Sequence, residues 1–190
     1  MLDTLSSSRR NLLGLTGVGL LSATAIGILA GSPAMAAEGG ASQGDVDILN
    51  VALGLEHEAI EAYQIGAESG LLAKPVLDVA VTFQGHHKGH RDALIGAIKN
   101  LGGTPVEAKS RADYATAINA ASIKSQTDIL RLAQKLEKGA ANAYIGVMPS
   151  FSNKDFAQVC GKLAADEATH WALLSNALGD SYPSAPFIFG

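Results

Sequence analysis

One nine-residue pattern occurs twice in this chain: Leu55-Glu56-x-x-Ala59-x-x-Ala62-Tyr63 returns as Leu136-Glu137-x-x-Ala140-x-x-Ala143-Tyr144. Each copy is followed by a pair of metal-ligating residue types at i, i+3, His87 with His90 and Glu167 with His170. The offsets nearly agree, 31 residues from Glu56 to His87 and 30 from Glu137 to Glu167. One helix pair used twice explains this, and it brings six candidate ligands, Glu56, His87, His90, Glu137, Glu167 and His170, towards one point from four helices. Residues at i and i+3 share a helix face with Cβ atoms about 5–6 Å apart, close enough to serve one metal or a metal pair.

The register places these groups on apolar stripes. Glu56 stands at helical spacing from Leu49, Ala52, Ile60 and Tyr63, and Glu137 from Leu130, Ala133, Ala141 and Tyr144. His87 and His90 have Phe83, Leu94 and Ala97 beside them; Glu167 and His170 have Leu163, Ala164, Trp171 and Leu174. An unpaired buried carboxylate costs several kcal/mol or stays protonated, so three carboxylates among three imidazoles point to a shared cation. Imidazole with carboxylate suits Fe, Mn or Zn. The single cysteine, Cys160, offers no thiolate cluster and reads as a small buried hydrophobe.

Four long periodic stretches carry the motifs: about Asp45–Glu68 with Asp45 or Asp47 as N-cap, Pro75–Leu101, Ile118–Val147, and a fourth capped by Ser152 or Asn153 that runs to Leu178. Gly102-Gly103-Thr104-Pro105 ends the second, and the connection from Gly102 to Ala117 is long enough for a crossover. The expected fold class is all-α: a four-helix bundle of two helix pairs joined by a long crossover over residues 45–178, with an irregular tail at 179–190. Hydrophobic residues make up 47% of the chain but aromatics only 5%, which fits helices packed through Ala and Leu. In the tail, Phe187, Ile188 and Phe189 are expected to lie against the bundle. A formal charge of −4 without a basic cluster argues against a nucleic-acid partner.

Residues 1–37 read as a targeting segment, with Arg9-Arg10 before an apolar stretch and small residues at Ala34-Met35-Ala36. Ser8-Arg9-Arg10-Asn11-Leu12-Leu13 resembles the twin-arginine export signal, although Gly14 stands where that signal often has Lys. Export through that machinery to the periplasm, with a flexible mature N-terminus at 38–44, is the expectation. The remaining length of about 150 residues is one domain.

From Asp45 to Leu178 the chain resembles the ferritin-like superfamily, which includes ferritins, bacterioferritins, rubrerythrins and desiccation-associated ferritin-like proteins. That family places Glu on the first and third helices and Glu-x-x-His on the second and fourth. Glu56, His90, Glu137, Glu167 and His170 match these positions, and Asp166-Glu167-Ala168-Thr169-His170-Trp171 is especially close. His87 departs, standing where the family has a metal-bridging carboxylate. The resemblance implies a metal-binding bundle, with iron or manganese and oxygen or peroxide chemistry. The His87 departure leaves three states open: a metal pair bridged by Glu167 alone, a single Fe, Mn or Zn, or no metal. A non-catalytic stress or desiccation-type bundle and a metal-free interaction module are the alternatives to an oxidoreductase. Glu58 is an alternative ligand on the first helix; His57 and His86 read as neighbours of the site, and Glu61 and Glu68 as solvated. Tyr63 and Tyr144 are placed to hydrogen-bond a ligand carboxylate across the bundle. Glycines on the second helix would permit close approach in a homodimer.

Overall fold

The structure, a computed structural model, describes residues 43–190. The export segment and most of the flexible N-terminus expected before Asp45 lie outside the described residues. Five α-helices and two short 3-10 turns make up the described residues, with no strand among them. Helix α1 is Gln43–Glu68, α2 Lys74–Asn100, α3 Arg111–Ala117, α4 Gln126–Val147 and α5 Lys154–Ala177. Helices α1 and α2 pack as one antiparallel pair and α4 and α5 as the other.

Local chemistry sets the boundaries. Ser125 accepts a hydrogen bond from the Asp128 amide and Asn153 from the Asp155 amide, so each side chain satisfies an orphan donor at the start of α4 or α5. Gly70, Gly102 and Gly179 adopt positive φ of 71°, 74° and 70° just past α1, α2 and α5, the region where a Cβ is disfavoured. At Gly103 a Cβ would meet Val46 at 2.6 Å and Ile98 at 3.1 Å. The absent side chain lets the crossover turn directly against α1.

Two boundaries correct the sequence reading. The third bundle helix begins at Gln126, not near Ile118, because Asn119 takes left-handed φ of 52° and ends the preceding segment. The crossover instead contains α3, capped by Ser110 accepting from the Asp113 amide. Asp45 does not cap its own helix, which already runs from Gln43. Its buried carboxylate accepts hydrogen bonds from the Ser152 and Asn153 amides at 2.8 and 3.2 Å, tying the start of α1 to the start of α5. In the tail, Phe189 packs edge-on to Trp171, but Phe187 is 96% exposed, contrary to expectation, since its backbone sits at φ 58°.

The core divides along the bundle axis. The largest cluster joins Leu49, Leu53, Leu94, Ile98, Tyr144 and Cys160, a second joins Tyr63, Phe83, Leu130, Ala133 and Leu174, and a small third joins Ala62, Ile118 and Leu136. Asp45→Ala is expected to remove both carboxylate–amide hydrogen bonds at the α1–α5 junction and to lower the unfolding free energy by about 1–3 kcal/mol. Urea denaturation checks this: an unchanged midpoint would mean that the junction contributes nothing.

Candidate metal centre

Between the two larger apolar clusters the four long helices turn their polar residues inward. Glu56 comes from α1, His87 and His90 from α2, Glu137 from α4, and Glu167 and His170 from α5, and every one of them is buried. All six residues singled out by the repeat converge. They form two overlapping groups able to hold a metal ion, Glu56-His87-His90-Glu167 and His87-Glu137-Glu167-His170, with ligand atoms within 4.8 Å of one another in each group.

The imidazoles face the centre through specific nitrogens. His90 Nδ1 lies 3.2 Å from Glu167 Oε1 and 3.6 Å from Glu56 Oε1, and His170 Nδ1 lies 3.1 Å from Glu167 Oε2 and 3.4 Å from Glu137 Oε2. His87 uses both: Nδ1 is 2.9 Å from Glu56 Oε2, and Nε2 is 3.3 Å from Glu137 Oε1.

A layer of partners outside the six orients them. Tyr63 donates its hydroxyl to Glu137, while Tyr144 donates to Glu56 at 2.6 Å, so the tyrosine of each repeat holds the glutamate of the other. The outward nitrogens are partnered as well: His170 Nε2 with His86 Nδ1 at 2.9 Å and His90 Nε2 with Asp166 Oδ2 at 3.4 Å. Such partners fix ring orientation and tautomer in metal sites. Asp166 was not singled out by the sequence reading, although its place beside Glu167 is the one available signal. His57 instead reaches the crossover carbonyl of Val106 at 3.3 Å, outside the centre.

Three carboxylates and three imidazoles meet here. Burial pushes the Glu56 carboxyl up, but His87 and His90 outweigh it and bring it down to about 2. Burial likewise opposes ionisation of Glu137, and the His87 charge with bonds from His170 and His87 holds it well below the usual carboxylate range. Glu167 goes the other way: burial dominates, and the neighbouring Glu137 charge adds to it. For the imidazoles, burial disfavours the charged form, yet the surrounding carboxylates raise His87 well above 6.5, His90 to about 10 and His170 to about 9.

The donor set fits a cation. His90 Nδ1 and Glu167 Oε1 are buried and lack hydrogen-bond partners although they approach within 3.2 Å of each other. Both atoms belong to one of the two groups able to hold a metal ion, where a cation would give each the partner that hydrogen bonding does not supply. The donors are nitrogen and oxygen, suited to Fe, Mn or Zn. Cys160 lies in the apolar cluster, fully buried, with burial pushing its thiol up to about 12.

Two cavities approach the centre. One of about 240 Å³ lies at the end of the bundle, walled by apolar side chains including Val76, Leu130, Ala133 and Leu174, and it reaches Tyr63 and Phe83. Phe83 stacks on His170 with ring centroids 4.0 Å apart. A gap of about 20 Å³ on another side is lined by Glu58, Leu55, Ala59, His87, Leu136, Glu137 and Ala140. Glu58 therefore lies beside the centre without joining it, and burial raises its carboxyl. Glu61 is not fully solvated as expected: its Oε2 is shielded and has no hydrogen-bond partner. Glu68 is exposed and pairs with Arg111 of α3.

Comparison with known proteins agrees with this architecture. Residues 44–180 match the ferritin-like domain family. A crystal structure of a conserved hypothetical protein from Mycobacterium tuberculosis is similar in fold, with a TM-score of 0.61 and 24% identity over 77% of this chain and 99% of that one. No curated protein matches the chain.

The charge arrangement makes the metal-free protein pH-sensitive. His90 and His170, raised from 6.5 to about 10 and about 9, contribute stability fully below pH 6.5 and lose it as the pH rises through those values. Glu56, lowered from 4.5 to about 2, contributes above pH 4.5 and loses its contribution as the pH falls towards 2. The urea midpoint of chelator-treated protein should therefore peak between about pH 4.5 and 6.5 and decline towards pH 10; a midpoint rising from pH 7 to 10 would contradict the charge assignment.

Proposed function

Because this chain belongs to the ferritin-like domain family, we propose that it is a metal-binding bundle whose centre holds iron or manganese and reduces oxygen or peroxide. The carrying observation is the convergence of six buried N/O ligands, two of them with orphaned atoms facing one another. Glu56, His90, Glu137, Glu167 and His170 supply the ligand atoms, together with His87. These residues would hold a redox-active ion, which would supply electrons to a small oxidant.

The residues around the centre define what they contribute. Tyr63 and Tyr144 hold one carboxylate oxygen each of Glu137 and Glu56, and so fix both carboxylates at the centre. His86 and Asp166 brace the imidazoles of His170 and His90 from behind. The apolar clusters on both sides exclude water, which strengthens every electrostatic interaction inside. The apolar cavity ending at Tyr63 and Phe83 favours a small uncharged reactant such as dioxygen over ions. Export in a twin-arginine pathway, which carries folded proteins, is consistent with loading before translocation and belongs to the same proposal.

A second reading has its own observation. Glu56 and Glu137, held low, stand beside three imidazoles held high and offset much of their charge without any cation. A non-catalytic stress-type bundle, or a metal-free interaction module, would use that balance for structure alone.

Two measurements separate these readings. Free metal at a hundred times its Kd should stabilise the fold by about 2.7 kcal/mol, which at about 2–4 °C per kcal/mol for a domain of this size raises the Tm by roughly 5–10 °C over chelated protein. No shift with Fe(II), Mn(II) or Zn(II) would support the metal-free module. Anaerobic Fe(II) loading followed by air should consume oxygen, and Ala133→Phe, which fills the apolar cavity, should slow uptake several-fold while leaving the iron stoichiometry unchanged. Bound iron without oxygen or peroxide consumption would leave the non-catalytic reading standing.

A further inference from the structure

We propose that His87 is a two-ended ligand that bridges two metal positions through its two ring nitrogens, an inference that rests on the metal-binding reading above. The ring occupies the middle of the centre, with centroids 5.8 Å from His90 and 5.7 Å from His170. Its Nδ1 faces Glu56 at 2.9 Å and Glu167 Oε1 at 3.8 Å; its Nε2 faces Glu137 at 3.3 Å. The two nitrogens thus belong to different ligand groups.

Glu167 divides itself in the same way, with Oε1 towards His90 and Oε2 towards His170. Sorting the donors by contact yields two matched sets. One contains Glu56, His90 Nδ1, Glu167 Oε1 and His87 Nδ1; the other contains Glu137, His170 Nδ1, Glu167 Oε2 and His87 Nε2. Each set has two carboxylates and two imidazole nitrogens, and each has one member from every role in the repeat. His87 is held in this orientation by full burial and by the Tyr63 ring, 5.4 Å away. A flip of the ring would put Cδ2 and Cε1 where Nδ1 and Nε2 now stand, so the orientation with Nδ1 by Glu56 and Nε2 by Glu137 is the one that serves both sets.

The consequence concerns spacing. Metal–nitrogen bonds of about 2 Å at both ends of one imidazole hold two ions roughly 6 Å apart, whereas oxygen-bridged pairs sit about 3.5–4 Å apart. Ligation through both nitrogens requires the ring to give up both N–H protons, which leave to solvent as the cations bind. Two ions at the wider spacing are too far apart to share a single bridging oxygen atom, so each would meet a reactant separately.

Zn(II) is a suitable probe because it neither oxidises nor reduces. The full chain, loaded with Zn(II), is expected to bind two ions per chain, and X-ray absorption should show imidazole scattering and no metal–metal vector below about 4 Å. His87→Glu should keep two ions and introduce a vector at about 3.5–4 Å, while His87→Gln should weaken the second ion at least ten-fold. A short metal–metal vector in the unmodified protein overturns the bridge, as does a stoichiometry of one, and both outcomes leave metal binding intact. Failure to bind Zn(II), Fe(II) or Mn(II) at all overturns the bridge and the metal-binding reading together. Should either variant fail to fold, stoichiometry and absorption on the unmodified chain decide the matter.

Discussion

Six ionisable side chains buried between two apolar clusters are the constraint around which this bundle is arranged. None of the three carboxylates can be taken from water alone without a cost of several kcal/mol. Each is therefore surrounded by imidazole nitrogens and tyrosine hydroxyls, and those partners come from other helices. Glu56 on α1 depends on His87 and His90 of α2 and on Tyr144 of α4; Glu137 on α4 depends on His170 of α5 and on Tyr63 of α1. The centre thus ties the two helix pairs together, with each tyrosine reaching across to the other repeat.

That mutual dependence explains why the surrounding structure is built as it is. Both apolar clusters end against the centre, so the bundle is hydrophobic above and below a polar layer. The crossover lies along α1, packed closely through Gly103 against Val46 and Ile98 and anchored by His57 at Val106. Its short helix α3 reaches Glu68 through Arg111. The buried Asp45 ties the far end of α1 to α5 through the amides of Ser152 and Asn153. Alignment of the four helices, and hence the meeting of their ligands, is held at both ends and in the middle.

Much of this was legible in the residues. Helical spacing marks Leu49, Ala52, Ile60 and Tyr63 as one buried stripe, and all four are in the core. The cross-bundle tyrosine bonds could be anticipated because each tyrosine lies two turns from a glutamate on the same face. The crossover was less legible. The mostly polar segment from Ser122 to Thr127 carries no periodic signal that marks a break, so spacing alone starts α4 eight residues early, and the Ser110-x-x-Asp113 cap of α3 has the composition of a loop. Asp45 looked like an ordinary helix cap, because its amide donors stand more than 100 residues away in sequence. Glu61 looked solvated, because nothing local shows that its carboxylate is shielded.

The sequence by itself determined the periodic faces, the doubled motif and the identity of the six inward-facing groups, since helical geometry converts spacing into direction without reference to the rest of the chain. That His87 stands in place of a carboxylate came from the resemblance to the ferritin-like family, not from spacing. Only the tertiary structure decided which nitrogen of each imidazole faces the centre, that Glu167 splits its two oxygens between the two ligand groups, and that His87 touches both. Those relations depend on the separation and rotation of four packed helices, which are set by the shapes of side chains far apart in the chain. Spacing along one helix carries no information about them.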